Sequence, residues 1–177
     1  MLQQRINEIV RNVPNFPIEG ILFKDITPIF LYPDICNEIA EFLAKQATQH
    51  EKIDAVAGVE SRGFLFGILL AQKLNVPFHL IRKKGKLPGE TVQYTYNLEY
   101  GSATIEIHKG FVKNGDKVLI HDDVLATGGT ASAAANLIAM EGGIVSGFSF
   151  LIELNALNGR KILSENFSNV FSMIQYD

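Results

Sequence analysis

The stretch "KVLIHDDVLATGGTASAAANLIAM", residues 117–140, decides the fold. Val118, Leu119 and Ile120 form an apolar run with no alternation, and it ends on two adjacent carboxylates, Asp122 and Asp123. A Thr-Gly-Gly-Thr turn follows, then an alanine-rich segment from about Thr130 to Met140. A short apolar run closed by a turn and continued by good helix formers predicts a strand (117–123) leading into a helix. Gly142 and Gly143 stop that helix. The absence of alternation fits a central parallel strand covered on both faces.

The same pattern repeats on either side. "DAVAGVE" (54–60) predicts a strand that stops at a glycine-bearing turn, and "SRGFLFGILLAQKL" (61–74) predicts a helix apolar nearly all round, hence buried. "PFHLIR" (77–82), "IVSGFSFLIEL" (144–154) and "NVFSMIQ" (169–175) read as further strands. Near the N-terminus, Leu2, Ile6, Ile9 and Val10 recur at helical spacing. Residues 15–30, with Pro17, Gly20 and Pro28, read as an irregular segment holding a short strand. Asp34 is placed to cap a second helix whose Ile35, Ile39, Phe42 and Leu43 share one face. Strands alternating with helices make βαβ units, so the class is α/β with a mostly parallel sheet. Such sheets bind ligands at the carboxyl ends of their strands. Asp122–Asp123 and Glu60–Ser61–Arg62 both stand at such ends and point to one crevice.

The turn at Ala126, Thr127, Gly128, Gly129 and Thr130 immediately precedes a helix. A helix start offers unpaired N–H groups and partial positive charge, and glycines let backbone approach an anion closely. The threonines add hydroxyl donors, which completes a phosphate cradle. It is neither a Walker A loop, since no Gly-Lys-Ser/Thr follows, nor the Gly-x-Gly-x-x-Gly dinucleotide fingerprint. Asp122 and Asp123 suit the vicinal hydroxyls of a sugar, a bound Mg²⁺ or a carbon with oxocarbenium character. A pentose 5-phosphate satisfies both halves. A cap and a tight turn would account for either half alone, but less well for both in this order behind a buried strand.

Composition narrows the class. With 177 residues, 47% of them apolar, the chain suits one domain, residues 1–177, with a sizeable core. A formal charge of -3 gives no reason to expect nucleic acid as a partner. The single cysteine, Cys36, cannot form an internal disulfide, and its apolar neighbours suggest packing, so a reducing, cytoplasmic setting is expected. Residues 1–13 carry Arg5, Glu8 and Arg11 and lack a signal-peptide core. "GFLFGILLA" (63–71) is too short to span a membrane, so no membrane partner is expected.

"VLIHDDVLATGGTA" resembles the phosphoribosyl pyrophosphate (PRPP) motif of type I phosphoribosyltransferases. "FPIEGILFKDITPIF" (16–30), "AGVESRGFLFG" (57–67), "IRKKGKLPGETV" (81–92) and "LEYG" (98–101) resemble the adenine-specific branch of that family, in the right order, from about residue 14 onward. Hypoxanthine-guanine and orotate relatives usually carry Glu-Asp at the acidic pair. The resemblance implies a type I phosphoribosyltransferase fold, a central mostly parallel twisted sheet flanked by helices. It adds a small N-terminal hood (about 14–30) and a long flexible catalytic loop (about 83–102). It also implies transfer of 5-phosphoribosyl from PRPP to N9 of adenine, giving AMP and pyrophosphate, with Mg²⁺ (Mg2+) as cofactor, and a homodimer.

Residue by residue, the resemblance assigns Ala126 to Thr130 to the 5-phosphate and Asp122 and Asp123 to the ribose hydroxyls. Glu60, Ser61, Arg62 and Gly63 become the pyrophosphate loop, with a cis Glu60–Ser61 peptide. Arg62 also suits this by chemistry, as a guanidinium matched to phosphate oxygens at a helix start. The four cations of "RKKGK" (82–86) would alone read as a solvated turn. Beside the other loops they become pyrophosphate ligands, with Arg82 and Lys83 foremost and the subunit they serve left open. Glu99 is the candidate to exchange the adenine proton, an alternative being a substrate phosphate oxygen, and Tyr100 would pack over the site. Phe23 can stack on a purine, backbone at Leu22 and Lys24 can read its edge, and Leu154 would face it. The metal is expected on PRPP and pyrophosphate oxygens and water, with no protein metal site. His121 reads as a packed or partly exposed strand residue. Two rivals remain: transfer to another purine base, and a non-catalytic PRPP-sensing regulator.

Overall fold

The run that opens at Lys117 is strand β7 (Lys117–Leu125), an interior strand of a sheet that has seven strands among the described residues. The structure, a computed structural model, describes residues 1–49, 52–97 and 101–177. β7 pairs in parallel with β3 (Ala55–Val59) on one side and β8 (Ile144–Leu154) on the other. β4 (Phe78–Lys83) extends the sheet in parallel beyond β3, and β9 (Val170–Tyr176) does so beyond β8. β5 (Thr91–Asn97) and β6 (Ser102–His108) form an antiparallel pair joined through β6 to β4, giving the order β5-β6-β4-β3-β7-β8-β9. The apolar runs are those of two-sided burial: all five residues of β3 are buried.

Helices cover both faces. α4 (Gly129–Met140) brings Ala131, Ala134, Leu137 and Ile138 against Ile120, Phe148 and Phe150. On the other face α1 (Leu2–Ile9), α2 (Pro33–Ala47) and α3 (Gly63–Leu74) close a second cluster around Ile39, Leu43, Phe66 and Leu70. Phe66 and Leu70 are fully buried, each worth about 1.5–3 kcal/mol of burial. α5 (Gly159–Ser164) lies between β8 and β9 in sequence. Above the carboxyl ends of the strands sits a separate hairpin, β1 (Arg11–Pro14) with β2 (Leu22–Asp25). It is tied by the Arg11–Asp25 ion pair at 2.6 Å and by Thr27 donating to Asp25.

Several expectations change. α2 begins at Pro33, with Asp34 inside its first turn and making no side-chain cap; a proline at the first position sets the start, and Asp34 complements the helix dipole from within. α3 is not buried all round, because Leu65 and Ile68 stay 42% and 41% exposed. The segment read as a long loop over 83–102 contains β5. Val92, Tyr94 and Tyr96 pack on the core while Gln93, Thr95 and Asn97 face outward. That is the period-two alternation of a half-buried strand, which the glycines and prolines around it obscured. β1 and β6 lie outside the strands that the sequence predicts; β1 is four residues ending in proline, a weak strand pattern.

Candidate active site

Three turns at the carboxyl ends of β3, β4 and β7 and the hairpin above them enclose a cleft of about 850 Å³. The turn after β7 forms its floor. Gly128, at φ +83°, starts α4, so the first N–H groups of that helix open toward the turn. Ala126 and Thr130 line the cleft, and Thr127, Gly128 and Gly129 line an adjoining recess of about 70 Å³ that Asp122 also borders. Thr130 Oγ1 lies 3.1 Å from the Tyr96 hydroxyl, which fixes the start of α4 to β5. The turn rests on α5: a Cβ at Gly159 would lie 2.2 Å from the Ala126 carbonyl oxygen. Only a glycine there allows the two backbones to meet.

Asp122 and Asp123 stand side by side in the cleft. Asp122 Oδ1 accepts the Asp123 N–H at 2.8 Å. Burial, and then the negative charge of Asp123, push the Asp122 carboxyl well above the usual carboxylate range. Asp123 is 5% exposed and accepts an ion-paired hydrogen bond from Arg62 Nε. Gly63, the first residue of α3, brings the helix against β7, where a Cβ would lie 2.9 Å from the His121 carbonyl.

Glu60, Ser61 and Arg62 line the cleft next to the acidic pair, and the Glu60–Ser61 peptide is cis. The Arg62 guanidinium stands 5.1 Å over the Phe23 ring, so it links hood, acidic pair and turn. Glu60 accepts the Lys83 N–H at 2.8 Å and Arg82 Nε at 3.2 Å. Burial works to raise its carboxyl, but these bonds and the two cations hold it below the ordinary value. Arg82 also donates to the Lys86 carbonyl at 3.1 Å and does not line the cleft. Lys83 does, and so does Lys84, whose place among four neighbouring cations gives it no separate signal in the sequence.

Another part of the lining is largely apolar. Leu22, Phe23 and Lys24 of β2 line it together with Leu154 at the end of β8. Phe23 is held edge-on by Phe16 at 5.1 Å. Lys24 turns its ammonium to Asn12 at 2.8 Å and over the Tyr176 ring at 4.0 Å. Tyr96 and Ala103 to Ile105 also line the cleft. Recognising the alternation in β5 would have found Tyr96. Glu99 and Tyr100 lie outside the described residues. His121 is fully buried, with Nδ1 3.3 Å from Ser149 Oγ, and burial lowers its pKa to about 4.

A glycine turn at a helix start, a pair of carboxylates and an aromatic-lined wall share one cleft, the layout of a phosphoribosyltransferase. The model of the phosphoribosyl transferase domain matches residues 30–171. An adenine phosphoribosyltransferase of Sorangium cellulosum is 50% identical over 170 residues, 94% of this chain and 84% of that protein. Among solved structures, the adenine phosphoribosyltransferase of Thermoanaerobacter pseudethanolicus superposes with a TM-score of 0.93 at 47% identity, covering 99% of this chain and 100% of that one. The Saccharomyces cerevisiae enzyme, complexed with D-2,5-dideoxy-2,5-imino-altritol 1,6-bisphosphate and adenine, gives 0.89 at 41% identity over 97% and 98% of the two chains. The chain belongs to the phosphoribosyltransferases and, within them, to the adenine phosphoribosyltransferase family.

Proposed function

We propose that this protein transfers the 5-phosphoribosyl group of PRPP to N9 of adenine, giving AMP and pyrophosphate, and serves purine salvage. The observation that carries this is the company these groups keep in one cleft: a helix-start turn, two carboxylates, and an aromatic and aliphatic wall. In the reaction the C1–oxygen bond to pyrophosphate breaks, the C1–N9 bond forms, and the N9 proton leaves. The turn 126–130 takes the 5-phosphate through backbone N–H groups and the dipole of α4. Asp122 and Asp123 accept the ribose hydroxyls and stabilise positive charge growing at C1. Arg62 and Lys83 balance the departing pyrophosphate, with Lys84 beside them. Phe23 and Leu154 sandwich the base, and backbone at Leu22 and Lys24 reads its edge. Glu99 is assigned the adenine proton, and Tyr100 the cover over it. Adenine is itself the nucleophile, so no nucleophilic side chain is required.

Among the described residues no three His, Cys, Asp or Glu side chains gather as a metal cage. Two carboxylates, one engaged by Arg62, fit a divalent ion that brings most of its oxygen ligands with it. Mg²⁺ on PRPP and water meets that description, and it would supply neutralisation of the pyrophosphate charge. The exposed Leu65 and Ile68 on α3 and Leu80 on β4 support a homodimer formed over that face. A lone free Cys36, half-buried, supports a reducing cytoplasm, and among the described residues no helix is long and apolar enough to cross a membrane. The test mixes purified protein with PRPP, Mg²⁺ and adenine and follows AMP and pyrophosphate together. Equal amounts of both are expected. Tight PRPP binding with no AMP would make the protein a sensor instead.

A further inference from the structure

Glu106 sits on the wrong face of its strand for a buried carboxylate. Its neighbours Ile105 and Ile107 point into the core beneath α4, so Glu106 points away from it. Yet it is 1% exposed, because the turn after β4 lies over it. Oε1 accepts the N–H groups of both Lys86 and Leu87 at 2.9 Å. Oε2 accepts Gln93 Nε2 at 3.1 Å and the Thr91 hydroxyl at 3.3 Å. A buried carboxylate with fewer partners would be strongly disfavoured. Here the hydrogen bonds from the turn outweigh the burial that raises its carboxyl, and hold it below the ordinary value.

The turn so held is the one that carries Arg82, Lys83, Lys84 and Lys86. Such a cluster repels itself and has little internal structure: Lys86 N–H to the Lys83 carbonyl at 3.2 Å closes it. The Lys84 N–H donates to the Thr104 carbonyl of β6 at 3.0 Å, and two carboxylates grip the turn on either side of that bond. Glu60 takes the Lys83 N–H and the Arg82 side chain, and Arg82 reaches on to the Lys86 carbonyl. Glu106 takes the N–H of that same Lys86. Between the two anchors stand Lys83 and Lys84, the cations that line the cleft.

We propose that Glu106 is a positioning residue for pyrophosphate, holding the 84–87 backbone so that Lys83 and Lys84 face the departing group. This rests on the reading of that turn as a pyrophosphate-binding element. The sign of the effect separates it from simple electrostatics. An anion near an anionic substrate should weaken binding, so its removal should tighten PRPP binding if charge alone mattered. A positioning role demands the opposite.

The experiment measures KM for PRPP, KM for adenine and kcat in wild type, Glu106→Ala, Glu106→Asp and Glu106→Gln, and repeats Glu106→Ala in a Lys83→Ala/Lys84→Ala background. Glu106→Ala and the shorter Glu106→Asp should raise KM for PRPP about tenfold, the scale of losing hydrogen bonds to a charged group. KM for adenine should stay within about twofold. Glu106→Gln keeps an oxygen for Lys86 and Leu87 and should restore most of the loss. In the lysine-free background Glu106→Ala should add nothing, since coupled residues are not additive. Should Glu106→Ala fail to fold, the Asp and Gln variants carry the same comparison. Unchanged or lower KM for PRPP overturns the proposal, as does an equal rise without the lysines. If the lysine pair can be removed with no change in KM for PRPP, the pyrophosphate reading of the turn fails first and the proposal falls with it.

Discussion

The corner after β7 and the turn after β4 both stand at carboxyl ends of parallel strands, and both offer the cleft a charge pattern. They are held by opposite means. The corner is held by backbone contact: the Ala126 carbonyl and Gly128 N–H meet Gly159 so closely that no Cβ fits. The turn has open space around it, with nothing within 4 Å of a Cβ at Gly85, and beyond one backbone bond from Lys84 to the Thr104 carbonyl it is held by the carboxylates of Glu60 and Glu106. The corner proposed to present N–H groups to one small anion is fixed by packing. A site that must gather cations is fixed by counter-charges set behind them.

The largest effect expected is in the corner's chemistry. Asp123→Asn should lower turnover about 10²-fold, the scale of losing one preorganised charge at a reacting centre, and Asp122→Asn should lower it less, since burial and Asp123 already disfavour the Asp122 charge. Asp123→Asn also removes the charge that pairs with Arg62. Near-normal turnover in both variants would remove the ribose-clamp role. Next comes packing. Gly159→Ala should destabilise by about 1–3 kcal/mol, as overpacking does, and raise KM for PRPP, read by thermal unfolding and kinetics. An unchanged KM would mean that the corner does not depend on α5.

The third concerns His121, directly before the acidic pair. Its pKa in the fold is about 4, against about 6.5 in an unfolded chain. As pH falls from 6.5 to 4 the unfolded chain takes a proton that the fold refuses, so this residue costs stability over that window, at most about 3 kcal/mol. His121→Leu should therefore gain on wild type as pH is lowered, measured by urea unfolding at several pH values. Asp122, whose shift has the opposite sign, is common to both proteins and cancels. A difference independent of pH would contradict this account. The smallest effect is expected at Gly85→Ala: with φ +78° and free space, it should cost about 1–2 kcal/mol of backbone strain and leave KM for adenine unchanged. A larger loss than at Gly159 would invert the comparison.

The same contrast explains what could be read from the sequence. The β7 corner is local. Its strand, carboxylates, turn and helix are consecutive, so their order announces both the fold and the chemistry, and β3, β4, β8 and β9 follow the same apolar pattern. The β4 turn is not local. Its cations are visible in "RKKGK", but the anchors, Glu60 and Glu106, lie 22 or more residues from Arg82 along the chain. Nothing local says that Arg82 turns to Glu60 while Lys84 lines the cleft. The strand over 91–97 was hidden for a related reason, as flanking glycine and proline signal turns more loudly than a seven-residue alternation signals a strand. The exposure of Leu65 and Ile68 could not be read from an all-apolar helix either, since composition does not say which side meets the sheet.

The most direct measurement offers purified protein, Mg²⁺ and PRPP with adenine, hypoxanthine, guanine or xanthine in separate reactions and quantifies each nucleotide formed. Edge reading by the backbone at Leu22 and Lys24, beside the stacking surface of Phe23 and Leu154, predicts rapid AMP from adenine and negligible product from the other three bases. Comparable nucleotide formation from an oxopurine, with or without AMP, would contradict the assignment of adenine.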